Sequence, residues 1–266
     1  MATSNEMLTA ILKDTPPSQH AINYSFLAPN TKGFESAMSI LKSTTQSSPS
    51  SPPPKIEFSV FAAATESFTQ ENLNCDIQTS LQRFKPVIQG AKDAGHRVRG
   101  YISVVLGCPF EGYDVDPHRV AEIATALFEM GADEISLGDT TGMGTAPRTQ
   151  ELLRVLSKSG VRSEDVAMHF HDTFGQALVN TAVSLEHGIR AFDSSVGGLG
   201  GCPYSPGATG NVATEDMVYF LESLGMQTGV DLDRMADVGE WITREVGRPN
   251  SSSVGRAILG KRKLAM

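Results

Sequence analysis

Short apolar runs alternate with helical periodicity along almost the whole chain, and that alternation limits the fold more than any single motif. The runs are AINYSFLA (21–28), IEFSVFA (56–62), RVRGYISVVL (97–106), EISL (134–137), VAMHFH (166–171) and AFDSS (191–195). Between them apolar residues recur at helical spacing, as in Phe34, Ala37, Met38 and Leu41, or in Val120, Ile123, Leu127 and Met130. Strands of this kind alternating with helices make a parallel sheet with crossover helices. No Gly-x-Gly-x-x-Gly follows the first strand, which disfavours a dinucleotide-binding fold. Polar residues gather just after the strands, favouring an α/β (β/α) barrel with its site at the strands' C-terminal ends. Such a barrel takes eight strand–helix units. The chain offers six, at 21, 56, 97, 134, 166 and 191. The expectation is therefore an incomplete barrel, in a single domain over 1–266.

Further helices are expected over 5–13, 32–41, 77–94, 116–131, 148–157, 176–187, 213–224 and 231–245. Asp116-Pro117 supplies an N-cap and a first-turn proline, and Gly131 a stop. The stretch STTQSSPSSPPP has no apolar side chain to bury, so 43–55 reads as a disordered surface insertion. Residues 251–266, with Lys261-Arg262-Lys263, read as a flexible tail. A net charge of −8 argues against nucleic acid or an anionic membrane surface as partner. No apolar run is long enough to span a bilayer. Three cysteines (Cys75, Cys108 and Cys202) are too few for a disulfide framework or a zinc knuckle, which suggests a reducing compartment. The first residues show no Arg-rich leader.

The chemistry concentrates between Met168 and Glu215. His169 and His171, at i and i+2, share one side of a strand end and can both ligate a metal. Asn211 offers a carbonyl oxygen as a third ligand, and imidazole with oxygen suits Mg²⁺ or Mn²⁺ better than structural zinc. Asp139 follows a strand in Gly138-Asp139-Thr140, where an ordinary turn competes with a place on the catalytic rim. Cys202 sits in Gly-Leu-Gly-Gly-Cys-Pro, too glycine-rich for core and able to move over a ligand. Its thiol could act as acid or nucleophile. Cys108 reads as structural, and Cys75 says little. Arg97 and Arg99 read as a solvated strand end.

With those residues in view, the chain resembles the 3-hydroxy-3-methylglutaryl-CoA lyases of the TIM-barrel metallolyase superfamily. The likeness runs from about Ile22 to about Val254. It is carried by LAPNTKGFE (27–35), RGYISVVLGCPFEG (99–112), EISLGDTTGMGT (134–145), HFHDTFGQAL (169–178) and DSSVGGLGGCPYSPGATGNVATED (193–216). The resemblance implies His169, His171 and Asn211 as metal ligands, Glu215 as the partner that holds the Asn, and Asp139 as a catalytic or substrate-orienting carboxylate. Cys202 matches the thiol on the mobile loop. Arg99, with Thr140, falls on the structural or substrate side.

The implied reaction is a divalent-metal-dependent retro-Claisen cleavage of 3-hydroxy-3-methylglutaryl-CoA to acetyl-CoA and acetoacetate, as in leucine degradation and ketone-body formation. The resemblance further implies a mitochondrial matrix location, with a cytoplasmic one left open, and leaves room for a homodimer. In the family an Arg-Asp-Gly-Leu-Gln strand and a second acidic strand precede the first strand found here, which explains six units instead of eight. On that ground 1–266 alone is expected to show little or no turnover. Two other readings stand beside it: a catalytically silent fragment serving in binding, and a condensing synthase of the same superfamily. The Cys202 loop argues against the synthase.

Overall fold

The computed structural model describes residues 4–14, 22–45, 54–201 and 210–264. Its strands are β1 (Asn23–Leu27), β2 (Lys55–Ala63), β3 (Arg97–Ser103), β4 (Glu134–Asp139), β5 (Val166–Phe170) and β6 (Ala191–Asp193). They form one sheet in the order β1-β2-β3-β4-β5-β6, each beside its neighbours in sequence. The helices are α1 (Ser4–Lys13), α2 (Thr31–Thr45), α3 (Glu66–Leu73), α4 (Ile77–Asp93), α5 (Pro117–Met130), α6 (Ala146–Lys158), α7 (Ala177–Glu186), α8 (Thr214–Ser223), α9 (Leu232–Glu245) and α10 (Ser253–Leu264). The six strand–helix units expected from the sequence are thus present among the described residues, in barrel order. The chain sorts into two compact units: Met1–Ile102 with Glu122–Ile135, and Ser103–Ala121 with Ser136–Met266.

In the first unit β1 pairs in parallel with β2, placing Phe26 opposite Phe58. Phe58 is fully buried and meets the rings of Phe34 and His96 edge-on, at centroid distances of 5.0 and 5.3 Å. Gly90 on α4 lies against Phe34, where a Cβ would stand 2.7 Å from the ring, so glycine lets α2 and α4 approach. Lys92 Nζ holds Asp133 at 2.7 Å, and the same carboxylate accepts the Val98 N–H at 2.8 Å. Arg99 pairs with Glu134 at 2.7 Å and lies over the Tyr101 ring with its side chain only 13% exposed. That corrects the reading of a solvated strand end for Arg99. Its neighbour Arg97, half exposed and 3.4 Å from Glu57, fits that reading better.

In the second unit β5 and β6 run parallel, with Ala167, Met168 and His169 opposite Ala191, Phe192 and Asp193. Beyond the strands, His171 bridges Asn211 and Ser195 bridges Ala213, and α8 starts directly after. The expected flexible tail is instead helix α10 over Ser253–Leu264. Its start is held by Asp216 of α8, which accepts from Ser252 Oγ (2.7 Å), Ser253 N (3.2 Å) and Val254 N (2.7 Å). Its end is held by Arg262, which pairs with Asp233 and Asp237 of α9. Replacing Asp216 with alanine strips three donors at the helix start of their acceptor. We expect a loss of about 1–3 kcal/mol of stability, read as a lower urea midpoint, with Asp216→Asn losing less.

Three other differences have physical causes. Strand β3 ends at Ser103 instead of running to Leu106, because Val104 takes a left-handed conformation (φ 56°) and turns its N–H to Thr140 Oγ1 at 2.9 Å. Helix α3 went unread because its apolar residues form no clean stripe. Of the Ser/Pro stretch, helix α2 takes the start as far as Thr45, and residues 46–53 lie outside the described ones.

Candidate metal and acid–base site

The second unit carries every described candidate except Arg99. Strand alternation turns Met168 and Phe170 into the core and His169 and His171 to the other side. The two imidazoles lie 5.5 Å apart between ring centroids, with planes tilted by 42°. His171 is 5% exposed, and burial together with the neighbouring His169 lowers its pKa to about 4. It is therefore a neutral ring with a lone pair at neutral pH.

Asn211 reaches His171 through backbone pairing: Val212 N–H donates to Phe170 O at 3.1 Å and Asp172 N–H to Gly210 O at 3.1 Å. Its amide is oriented by Nδ2, which donates to Leu199 O at 3.0 Å. Among the described residues Asn211 Oδ1 is buried without a donor, and His171 Nδ1 is likewise buried without a partner. The glycine run makes the arrangement feasible. Gly210 (φ 115°) passes so close to Gly200 that a Cβ would stand 2.3 Å from the Gly200 carbonyl oxygen.

Glu215 does not hydrogen-bond Asn211 among the described contacts. Its two oxygens accept the Gly197 N–H at 2.9 and 3.1 Å. It thus holds the turn Val196–Gly198, and the next carbonyl, of Leu199, holds Asn211. Burial raises the Glu215 pKa, while the Gly197 N–H and Asn250 draw it back down. His169 has a carboxylate partner that sequence reading missed. Asp193 Oδ2 lies 3.2 Å from His169 Nδ1 and also accepts from Ser136 Oγ at 2.8 Å. The one sequence signal for it was an aspartate ending a short strand.

Asp139 closes β4 and is fully buried. One oxygen accepts the Gly144 N–H at 3.0 Å, and the other is buried with no donor among the described residues. Burial raises its pKa to about 7, against the opposing pull of the Gly144 N–H and of Arg148. Arg148 is itself anchored by donating to Leu106 O at 2.6 Å. Thr140 has a structural place, accepting the Val104 N–H and donating to Gly138 O at 3.5 Å. Cys108 is buried, in a turn closed by paired bonds with Gly112 at 2.8 and 2.9 Å. Cys202 lies outside the described residues.

The donor set suits a divalent cation: two imidazoles, and an amide oxygen buried without a partner among the described residues. Among the described residues no three His, Cys, Asp or Glu side chains converge, and the donor standing beside the two imidazoles is the Asn211 amide oxygen. His169, His171 and Asn211 are brought together; Asp139 stands on the next strand's end with Gly144 as its hydrogen-bond partner.

The family profile described as HMGL-like matches residues 3–242. A 3-hydroxy-3-isohexenylglutaryl-CoA/hydroxy-methylglutaryl-CoA lyase from Pseudomonas aeruginosa is 49% identical over 261 residues, 98% of this chain and 80% of that protein. The mitochondrial hydroxymethylglutaryl-CoA lyase of Rattus norvegicus is 46% identical, over 97% of this chain and 73% of its own. A crystal structure of hydroxymethylglutaryl-CoA lyase from Pseudomonas aeruginosa superposes with a TM-score of 0.86 at 47% identity, covering 98% of this chain and 80% of the other.

Proposed function

The chain belongs to the HMGL-like family of hydroxymethylglutaryl-CoA lyases, and from that premise we propose that it cleaves 3-hydroxy-3-methylglutaryl-CoA to acetyl-CoA and acetoacetate. The observation that supports this most is the pairing of His171 with Asn211, beside His169, where a buried imidazole nitrogen and a buried amide oxygen have no partner among the described residues. Enzymes of this family are metal-dependent. His169, His171 and Asn211 are the residues that would hold the cation, and Mg²⁺ or Mn²⁺ suits their nitrogen and oxygen donors. What a bound cation supplies is Lewis-acid polarisation of the substrate's tertiary hydroxyl and a neighbouring oxygen.

The chain's own groups carry the protons. Asp139, with a pKa of about 7, exists in both forms near neutrality and is our candidate to take the hydroxyl proton. As the new carbonyl of acetoacetate forms, the C–C bond breaks and its electron pair passes to the acetyl-CoA carbon as a thioester enolate. Cys202, on the glycine-rich loop, is our candidate to return a proton to that carbon. Arg99, paired with Glu134, serves the structure. A mitochondrial location is proposed on the name of the rat relative.

The test is release of acetyl-CoA and acetoacetate by the full chain with Mg²⁺ or Mn²⁺. Product is expected with either ion, at the low rate expected of a six-unit chain, and none after chelation, with activity restored when the ion is added back. No product at saturating substrate and metal, or product indifferent to chelation, would sink the proposal.

A further inference from the structure

Ser136, His169 and Asp193 stand on the neighbouring strands β4, β5 and β6, linked through the Asp193 carboxylate, which the proton transfers above do not use. We propose that Asp193, backed by Ser136, is a positioning residue that fixes the tautomer and rotation of His169. The inference rests on the lyase reading only for what His169 then does, which is to hold a divalent cation.

The geometry starts in the strand register. His169 and Asp193 are Cα partners of the parallel pair β5–β6, so their side chains leave the sheet on the same face. Both donors converge on one oxygen: Ser136 Oγ at 2.8 Å and His169 Nδ1 at 3.2 Å from Asp193 Oδ2. A carboxylate oxygen only accepts, so the imidazole hydrogen belongs on Nδ1 and the lone pair on Nε2. Ser136 is fully buried on β4 and gives the same carboxylate oxygen a second donor. Asp193 is 17% exposed along its side chain, so little water competes for it. His171 makes the contrast, because its Nδ1 has no partner among the described residues. Among the described residues, one ring of the pair has its Nδ1 held by a carboxylate, and the other does not. Removing Asp193 frees His169 to flip about χ2 and to exchange tautomers, which divides its time between competent and incompetent nitrogens.

The test uses the full chain labelled with ¹⁵N-histidine, free of metal, at a pH where the imidazoles are neutral. His169 is assigned by comparison with His169→Gln. In the wild type His169 is expected as the Nδ1–H tautomer. Asp193→Ala is expected to convert it to a mixture and to weaken Mn²⁺ binding about 10–100-fold. Asp193→Asn keeps a carbonyl oxygen for both donors, should fold if the alanine variant does not, and is expected to lose less than Asp193→Ala. Ser136→Ala is expected to shift both readouts in the same direction. A strand pair that served stability alone would lower the melting temperature without moving the tautomer. A wild-type Nε2–H tautomer, absent Mn²⁺ binding, or an Asp193→Ala chain with unchanged tautomer or Mn²⁺ affinity overturns the proposal. Failure of the lyase reading looks different: a fixed tautomer and bound Mn²⁺, with no acetyl-CoA released.

Discussion

Asp139→Asn is expected to lower kcat by about 10²–10⁴-fold while making the chain more stable at neutral and mildly alkaline pH. The two effects share a cause. An aspartate in the unfolded chain ionises near 3.8, whereas buried Asp139 ionises near about 7. Between those values the folded state keeps a proton that the unfolded state has released. Stability contributed by this group is therefore fully present below the lower value, falls as pH rises through the window, and stays low above it. The penalty at its full extent is on the order of 4 kcal/mol. An asparagine can still accept the Gly144 N–H but has no charge to bury. Urea midpoints across pH should decline for the wild type between the two values and stay flatter for the variant. The kcat–pH profile of the wild type should show a limb near 7 that the variant lacks. Wild-type turnover in Asp139→Asn would remove Asp139 from the chemistry.

The second large effect is expected from a change that ordinary helix propensity favours. Gly239 lies inside α9, where alanine would normally gain up to about 1 kcal/mol. Here a Cβ would stand 2.1 Å from Glu215 Oε1 and 3.1 Å from Asn250 Nδ2. Glu215 is fully buried and grips the Gly197 N–H, so it has nowhere to retreat without releasing the turn that holds Asn211. Gly239→Ala is therefore expected to destabilise the chain by about 1–3 kcal/mol. It should also raise the Mn²⁺ concentration needed for activity. Gly260→Ala in α10 is the control, since nothing lies within 4 Å of the added Cβ there. That variant should be neutral or slightly stabilising. Equal urea midpoints for both would show that α9 does not press on the carboxylate.

Much of the architecture was legible because strand and helix periodicities differ and each was written cleanly. The amphipathic stripe of Val120, Ile123, Leu127 and Met130 predicted α5 almost to the residue. The His169–His171 spacing was legible for the same reason, as period-two geometry puts both on one face. Features set by partners distant in sequence were not legible. Asp193 matters because of a register with His169, and no local pattern states a register. Helix α10 looked like a loose basic tail because its anchors, Asp216, Asp233 and Asp237, lie on other helices. Val104 looked like an ordinary strand residue. Its left-handed turn, costly for a β-branched side chain, is held by Thr140 from the neighbouring strand end.

The pairing of β5 with β6 also bears on fidelity. A slip of one residue between them would bring Phe192 opposite His169 and send the Asp193 carboxylate to the opposite side of the sheet. The same slip would turn the acidic side chain toward the core face, where Met168 now packs out of water. A chain that mispairs here loses its hydrophobic seal and its histidine partner in one event. A folded population that is compact yet wrongly assembled at the imidazoles is thereby penalised by packing itself, so quality control of the site is built into the burial of its neighbours.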